Sequence, residues 1–377
     1  VGRRWEISVE LGLAPPYGAL AAIFLPLIPH IFTPIYPRNR PMNRWLRCIP
    51  FAYCLVLASS VALGAVSGPL ASKLEGTPPA IPEGGKSADE IKAKIKSGEI
   101  KRITRIPKVS DKVDVQLDVK YGQELKPLLL DLYSPKGIQK PVPGLIFVHG
   151  GSWSGGSRKI YGFYCQHFAE KGYVAATIDY RLSGERAFPG AVRDTKCAVR
   201  WMRANAAKLH VDPNQIALIG GSAGGHLAML AAYSDNDDQT LQGTGGNYMV
   251  DARVQAVIDF YGPVELKADG KNPKSPVLKF MGGKTTEDAR DQYEKASPIN
   301  HLTKASPPTL IFHGTVDELV PVAASDMLAA KLEEFGVPYL YDRQEGWHHG
   351  MDAVEVVNAR CLWFMDQFLS MVLPIKK

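Results

Sequence analysis

The chain has 377 residues, 45% of them hydrophobic and 22% charged, which is the composition of an ordinary globular protein with room for one large α/β domain or two small ones. Its formal net charge of +6 is unevenly placed: residues 1–64 carry six arginines and two acidic residues, which leaves 38 basic against 36 acidic side chains in the remainder. The body is therefore nearly neutral, and no nucleic-acid or anionic-membrane partner is implied for it. Five cysteines form no CxxC and no Cys/His cluster, so no zinc site is expected. Cys48 and Cys54 fall in an apolar N-terminal stretch, and Cys165, Cys197 and Cys361 read as small buried core residues.

Residues 1–41 are rich in proline, and their apolar run from Leu20 to Phe32 is broken by Pro26 and Pro29, too short and interrupted for a membrane span. The sequence then begins again. Met42-Asn43-Arg44-Trp45-Leu46-Arg47 is a positively charged start, Cys48 to Leu63 an apolar run, and Ala62-Leu63-Gly64 a small-residue exit. The pattern predicts a secretory signal peptide over 42–67, cleaved near Gly64 or Ser67, with residues 1–41 as upstream sequence from a misplaced start codon. A secreted or periplasmic protein follows, with no stable membrane partner after cleavage; an uncleaved signal anchor is the alternative. Residues 68–85, with Pro69, Pro78, Pro79, Pro82 and Gly84-Gly85, read as a linker. Ser87-Ala88-Asp89-Glu90 is a capping box that opens a short basic helix ending near Gly98, so 68–109 is expected to be linker and helix. The interleaved Asp89, Glu90 and Glu99 make its lysines a solvated face.

From residue 110 the pattern changes. Val113 to Val119 alternates with period two and Leu128 to Tyr133 follows, predicting leading antiparallel strands at a sheet edge. Buried strands and helical segments then alternate to Val372, which predicts an α/β fold: a mostly parallel central sheet with helices on both faces, filling 110–377. Within it, the apolar strand Ile216 to Ile219 meets the helix Leu227 to Ala232 through Gly220-Gly221-Ser222-Ala223-Gly224. A strand that reverses sharply into a helix strains its central residue, and G-x-S-x-G gives that residue small neighbours. Ser222 is the candidate nucleophile.

A serine hydroxyl needs a base, and the base needs an orienting group. Thr309 to Phe312 runs into His313-Gly314-Thr315-Val316-Asp317, putting Asp317 in a loop after a strand; Asp259, at the end of another strand, competes with it. Pro338 to Arg343 leads to Trp347-His348-His349-Gly350, where His349, beside glycine, is preferred over His348. The order Ser…Asp…His is that of α/β-hydrolases. His149-Gly150-Gly151-Ser152-Trp153 ends another strand, and its backbone amides at Gly150, Gly151 and Ser152, with that of Ala223, are the expected oxyanion donors. His149, His226 and His313 read as scaffolding.

Together these motifs resemble the bacterial esterases of the α/β-hydrolase superfamily, in particular the group of acetyl-xylan and feruloyl esterase-like enzymes related to hormone-sensitive lipase. The resemblance covers residues 110–372. Ser152 replaces the third glycine of the lipase-type H-G-G-G, pointing to the H-G-G-x-W branch, which also holds arylformamidases; residues 1–85 have no counterpart. The resemblance implies a serine carboxylesterase for short acyl esters, on a small molecule or a polysaccharide, using Ser222, His349 and Asp317 with no metal or organic cofactor. An amidase or peptidase with the same triad is the rival, and a non-catalytic binding protein a remote one. It further implies that the connection over 262–307 is a short cap, with a plain surface excursion as the alternative. Trp153 and Trp347, flanking the site from two loops, are candidate substrate-binding residues, with simple packing as the equal alternative.

Overall fold

The computed structural model describes residues 66–103 and 109–376. The upstream extension, the signal peptide up to residue 65, Cys48 and Cys54 lie outside the described residues. The described strands are β1 (Val66–Ser67), β2 (Val113–Gln123), β3 (Pro127–Pro135), β4 (Val142–Val148), β5 (Val174–Ile178), β6 (Val211–Gly221), β7 (Ala256–Phe260), β8 (Thr309–Gly314) and β9 (Tyr339–Gln344). The helices are α1 (Ala88–Ser97), α2 (Gly162–Glu170), α3 (Gly190–Ala204), α4 (Ala206–Leu209), α5 (Ala223–Tyr233), α6 (Gln239–Gln242), α7 (Pro276–Phe280), α8 (Arg290–Ala296), α9 (Ala323–Phe335) and α10 (Glu355–Val372).

All nine strands join one sheet in the order β1-β9-β8-β7-β6-β4-β5-β3-β2. The pairs from β9 through to β5 are parallel, while β1, β3 and β2 run antiparallel to their neighbours at the two edges. The parallel strands β4, β5 and β7 are buried along their whole length, as expected of strands covered on both faces. Alternate residues feed two cores. Ile146 and Val148 of β4 belong to the core that holds buried residues of α3, α5 and α9, whereas Leu145 and Phe147 belong to the one that holds those of α2 and α10. The chain goes from β4 to β5 on one side and then crosses to β6 on the other, so the loops leaving β4 and β6 diverge. The crevice that opens at such a reversal, beyond the carboxyl ends of the strands, is where open α/β sheets hold ligands.

The stretch expected to be a linker instead lies against the domain as a strap. Leu70 N–H donates to Tyr339 O (3.2 Å), Arg360 Nη1 to Pro79 O (3.1 Å) and Gly85 N–H to Gly346 O (2.8 Å). It turns at Pro69 into a short 3-10 segment over Ala71–Lys73 and runs from there without regular structure to Gly85. Its glycine serves close contact: a Cβ on Gly84 would lie 2.2 Å from the carbonyl carbon and oxygen of Gly346. Helix α1 follows, with Ser87 Oγ accepting from Glu90 N–H (3.3 Å) and Gly98 closing it at φ 82°. Lys92 of α1 pairs with Glu318 (2.8 Å), and Ile103 N–H donates to Ala353 O (2.8 Å). Composition alone cannot separate a tethered strap from a free linker, because both are rich in Pro and Gly.

The 262–307 excursion joins β7 to β8. None of the residues lining the cavity over Ser222 and His349 comes from it. Val264, Leu266, Val277, Phe280 and Tyr293 are buried in the core on the α5 face, so its apolar residues are spent on packing.

Candidate active site

The site grows from the carboxyl ends of four parallel strands. At the end of β6, Ser222 has φ 57° and ψ −125°, outside the regions open to most side chains, and is held by its N–H donating to Phe260 O (2.8 Å). The glycines around it are steric requirements. A Cβ on Gly220 would meet Gly224 O at 2.3 Å, and one on Gly224 would meet Val148 O at 2.0 Å. The turn feeds α5, which is buried on almost every side and so anchors the serine to the core.

Two other loops complete a hydrogen-bonded chain. His349, after β9, places Nε2 2.9 Å from Ser222 Oγ and Nδ1 2.7 Å from Asp317 Oδ2. Asp317, after β8, has a carboxylate shielded from solvent that accepts from Leu319 N–H (2.8 Å) and Val320 N–H (2.9 Å) at Oδ1. His313 Nε2 lies 3.2 Å from Oδ2 and 2.9 Å from Val320 O, while its Nδ1 faces Ser325 Oγ at 2.7 Å. Burial alone would raise the Asp317 carboxyl, but the bonds from His313 and His349 outweigh it and hold the group well below the usual carboxylate range. An ionised Asp317 accepts the Nδ1 proton of His349, so Nε2 faces Ser222 with its lone pair. That arrangement lets the serine proton pass to the imidazole.

The competing residues go elsewhere. Asp259 is fully buried and accepts from Gly262 N–H (3.0 Å); burial pushes it up to about 8, so it holds its proton far more firmly than an ordinary carboxyl. His348 is buried beside the strap, with no partner for Nδ1 among the described residues. His149 stacks on Tyr180 (ring centroids 4.3 Å apart) and sets Nδ1 2.7 Å from Gly150 O, and burial lowers its pKa. His226 accepts from Trp153 Nε1 (3.2 Å) at Nδ1 and donates from Nε2 to Ala296 O (2.8 Å); burial takes it down to about 4. Cys165, Cys197 and Cys361 are buried free thiols.

Gly150, Gly151 and Ser152 border Ser222, with Gly151 at φ 115° and Ser152 at φ 52°. A Cβ on Gly150 would lie 2.8 Å from Gly221 O and 3.3 Å from Ser222 Cβ, so this loop touches the serine only because it lacks side chains. Ala223 is buried as the first residue of α5. Neither tryptophan faces the site. Trp153 is 3% exposed, stacked on Phe280 (4.6 Å), and Trp347 is fully buried with Nε1 unpartnered among the described residues. Both are buried as packing residues, the alternative to the substrate-binding role expected of them.

Over Ser222 and His349 lies a cavity of about 600 Å³. Its walls hold residues that no motif announced: Tyr161 before and Phe163 within α2, Tyr261 after β7, Asp352 after His349, and Arg102 and Ile103 after α1. Tyr261, at φ 45°, sets its ring 4.5 Å from that of His349 and donates its hydroxyl to Asp352. Burial raises the Asp352 carboxyl, partly offset by that hydroxyl. An aromatic two positions past the β7 carboxylate and an acid three past the histidine were visible signals, but only the fold turns them inward.

Residues 130–332 match the BD-FAE family. The esterase LipC of Mycobacterium tuberculosis is 34% identical over 60% of this chain and 58% of its own length. The aligned region thus spans about three-fifths of that relative. Among solved structures, a truncated carbohydrate esterase from gut microbiota is 25% identical with a TM-score of 0.61, covering 70% of this chain and 100% of that one. Esterase 2 of the planctomycete Thermogutta terrifontis is 28% identical with a TM-score of 0.60, covering 72% and 96%. Strand order, the turn at Ser222 and the sequence match agree: the fold is that of the α/β-hydrolases, and the chain belongs to the BD-FAE family.

Proposed function

We propose that the protein is a serine carboxylesterase that hydrolyses short acyl esters. The observation that carries this reading is the chain Ser222 Oγ–His349–Asp317, with spacings of 2.9 and 2.7 Å, at the floor of an open cavity. Ser222 Oγ attacks the ester carbonyl while His349 Nε2 takes its proton. Asp317 keeps the imidazole in the tautomer that can do so and stabilises the imidazolium. The carbonyl oxygen, now negative, is held by backbone amides of the Gly150-Gly151-Ser152 loop and Ala223. His349 returns the proton to the leaving alcohol, and a water activated by the same imidazole then cleaves the acyl-enzyme.

Acetyl or feruloyl esters of plant polysaccharide are the natural substrates that fit this reading, supported by the likeness to a carbohydrate esterase. Export through the signal at Met42 would bring the enzyme to such a substrate, and N-terminal sequencing of the mature protein tests it. The activity is tested with p-nitrophenyl esters from acetate to laurate beside acetylated xylan and methyl ferulate. Hydrolysis peaking at short chains and abolished in Ser222→Ala supports the reading. Activity surviving in Ser222→Ala, or silence on every ester, rejects it.

A further inference from the structure

We propose that the cavity selects esters that also carry a carboxylate, through Arg102 and Lys159. This rests on the esterase reading above and names its substrate class. Both cations line the cavity that contains Ser222 and His349, and neither forms an ion pair among the described residues. The cavity wall holds one carboxylate, that of Asp352, and it is ion-paired with neither cation. Asp352 is the acid there; burial raises its carboxyl, and the Tyr261 hydroxyl occupies it.

The two cations stand on rigid mounts. Arg102 bridges Val354, and its neighbours are clamped by Ile103 N–H to Ala353 O (2.8 Å) and Glu355 N–H to Lys101 O (3.0 Å). Lys159 follows Arg158, whose guanidinium is gripped by Asp118, Asp131 and Asp179 and whose own N–H donates to Asp179 (2.7 Å). A triple-carboxylate hold on Arg158 serves no step of the acyl transfer, and what it fixes is the start of the wall that carries Lys159 and Ile160. The same lining includes the apolar side chains Ile103, Ile160, Phe163 and Leu319, with Ile160 48% and Leu319 66% exposed. Exposed aliphatic side chains beside two unpaired cations suit a molecule with an apolar body and an anionic end. Arginine receives a planar carboxylate through two parallel N–H bonds, and lysine adds a point charge.

The carboxylate could sit on the acyl or the alcohol side of the ester, and two matched pairs distinguish these sources. On the acyl side, p-nitrophenyl hydrogen glutarate is compared with p-nitrophenyl valerate; on the alcohol side, an acetylated methyl glucuronoside with the corresponding acetylated methyl glucoside. The quantity read is the anionic-to-neutral ratio of kcat/KM, in the native enzyme and in Arg102→Met/Lys159→Met, at low and high salt. A ratio of about tenfold or more in one pair, falling toward unity in the double variant and with added salt, is expected from charge-assisted bonds in a partly screened site. A ratio at or below one in both pairs, with the neutral esters hydrolysed, overturns the proposal and leaves the esterase reading standing. A ratio above one that neither salt nor the double variant alters also overturns it. Failure to hydrolyse any of the four esters rejects the esterase reading, and the proposal with it.

Discussion

Replacing Asp317 with asparagine exchanges one oxygen for an NH2 group and reverses the hydrogen-bond polarity at His349. Oδ1 accepts from two backbone N–H groups, Leu319 at 2.8 Å and Val320 at 2.9 Å, so the amide oxygen must take that position. The NH2 group then occupies the place of Oδ2, 2.7 Å from His349 Nδ1. A donor there forces Nδ1 to accept, and the ring proton moves to Nε2, 2.9 Å from Ser222 Oγ. The serine then faces an N–H instead of a lone pair, and its proton has no base. The same exchange in a Ser-His-Asp triad costs about 10⁴ in kcat, which is about 5.4 kcal/mol of barrier at about 1.36 kcal/mol per tenfold. The assay is kcat on p-nitrophenyl butyrate for Asp317→Asn, with circular dichroism to establish that the variant is folded. A folded variant that keeps more than about a tenth of native kcat would refute the reasoning, since that loss is far below what removal of the base entails.

Three further outcomes follow from named contacts. Asp259, pushed up to about 8, binds its proton more tightly in the folded than in the unfolded chain, so its contribution to stability is complete below about pH 4 and is lost as pH rises to about 8. Asp259→Asn should remove up to about 1.4 kcal/mol per pH unit of that decline in denaturant titrations while keeping activity, whereas an inactive Asp259→Asn would make it the rival acid. Trp153→Phe leaves His226 Nδ1 without its donor and should cost about 1–3 kcal/mol in urea unfolding, with acyl-chain preference unchanged; a changed preference at native stability would return Trp153 to the substrate. Gly84→Ala drives a Cβ against the backbone of Gly346, three residues before His349, and should lower Tm and kcat together by spreading strap and histidine loop, so a fall in neither would mean that the strap plays no part.

The parts of the site legible in the sequence are those whose constraint is local. Gly220 and Gly224 are required by contacts within their own turn and with the adjacent strand, and the order Ser222, Asp317, His349 follows from strand-helix alternation. The edge strands and the helix capped by Ser87 were likewise readable from a few consecutive residues. What stayed hidden depends on distant partners. Pro79 and Gly84 look like a linker until Arg360 and Gly346 are found against them. Trp153 and Trp347 sit in the correct loops, yet their rings turn into the core, and pattern alone does not distinguish an inward ring from an outward one. Arg102 lies in a stretch with no periodicity at all, and its position at the cavity comes from backbone pairing with the segment after His349.

The central claim is that Ser222 is the nucleophile, activated by His349. It is tested most directly by intact-protein and peptide mass spectrometry after exposure to a fluorophosphonate, in the native chain and in Ser222→Ala. The account predicts a single stoichiometric adduct on the peptide containing Ser222, with turnover lost in step, and none in the variant. An adduct on another residue, or a Ser222→Ala protein that still labels and still hydrolyses ester, would contradict it.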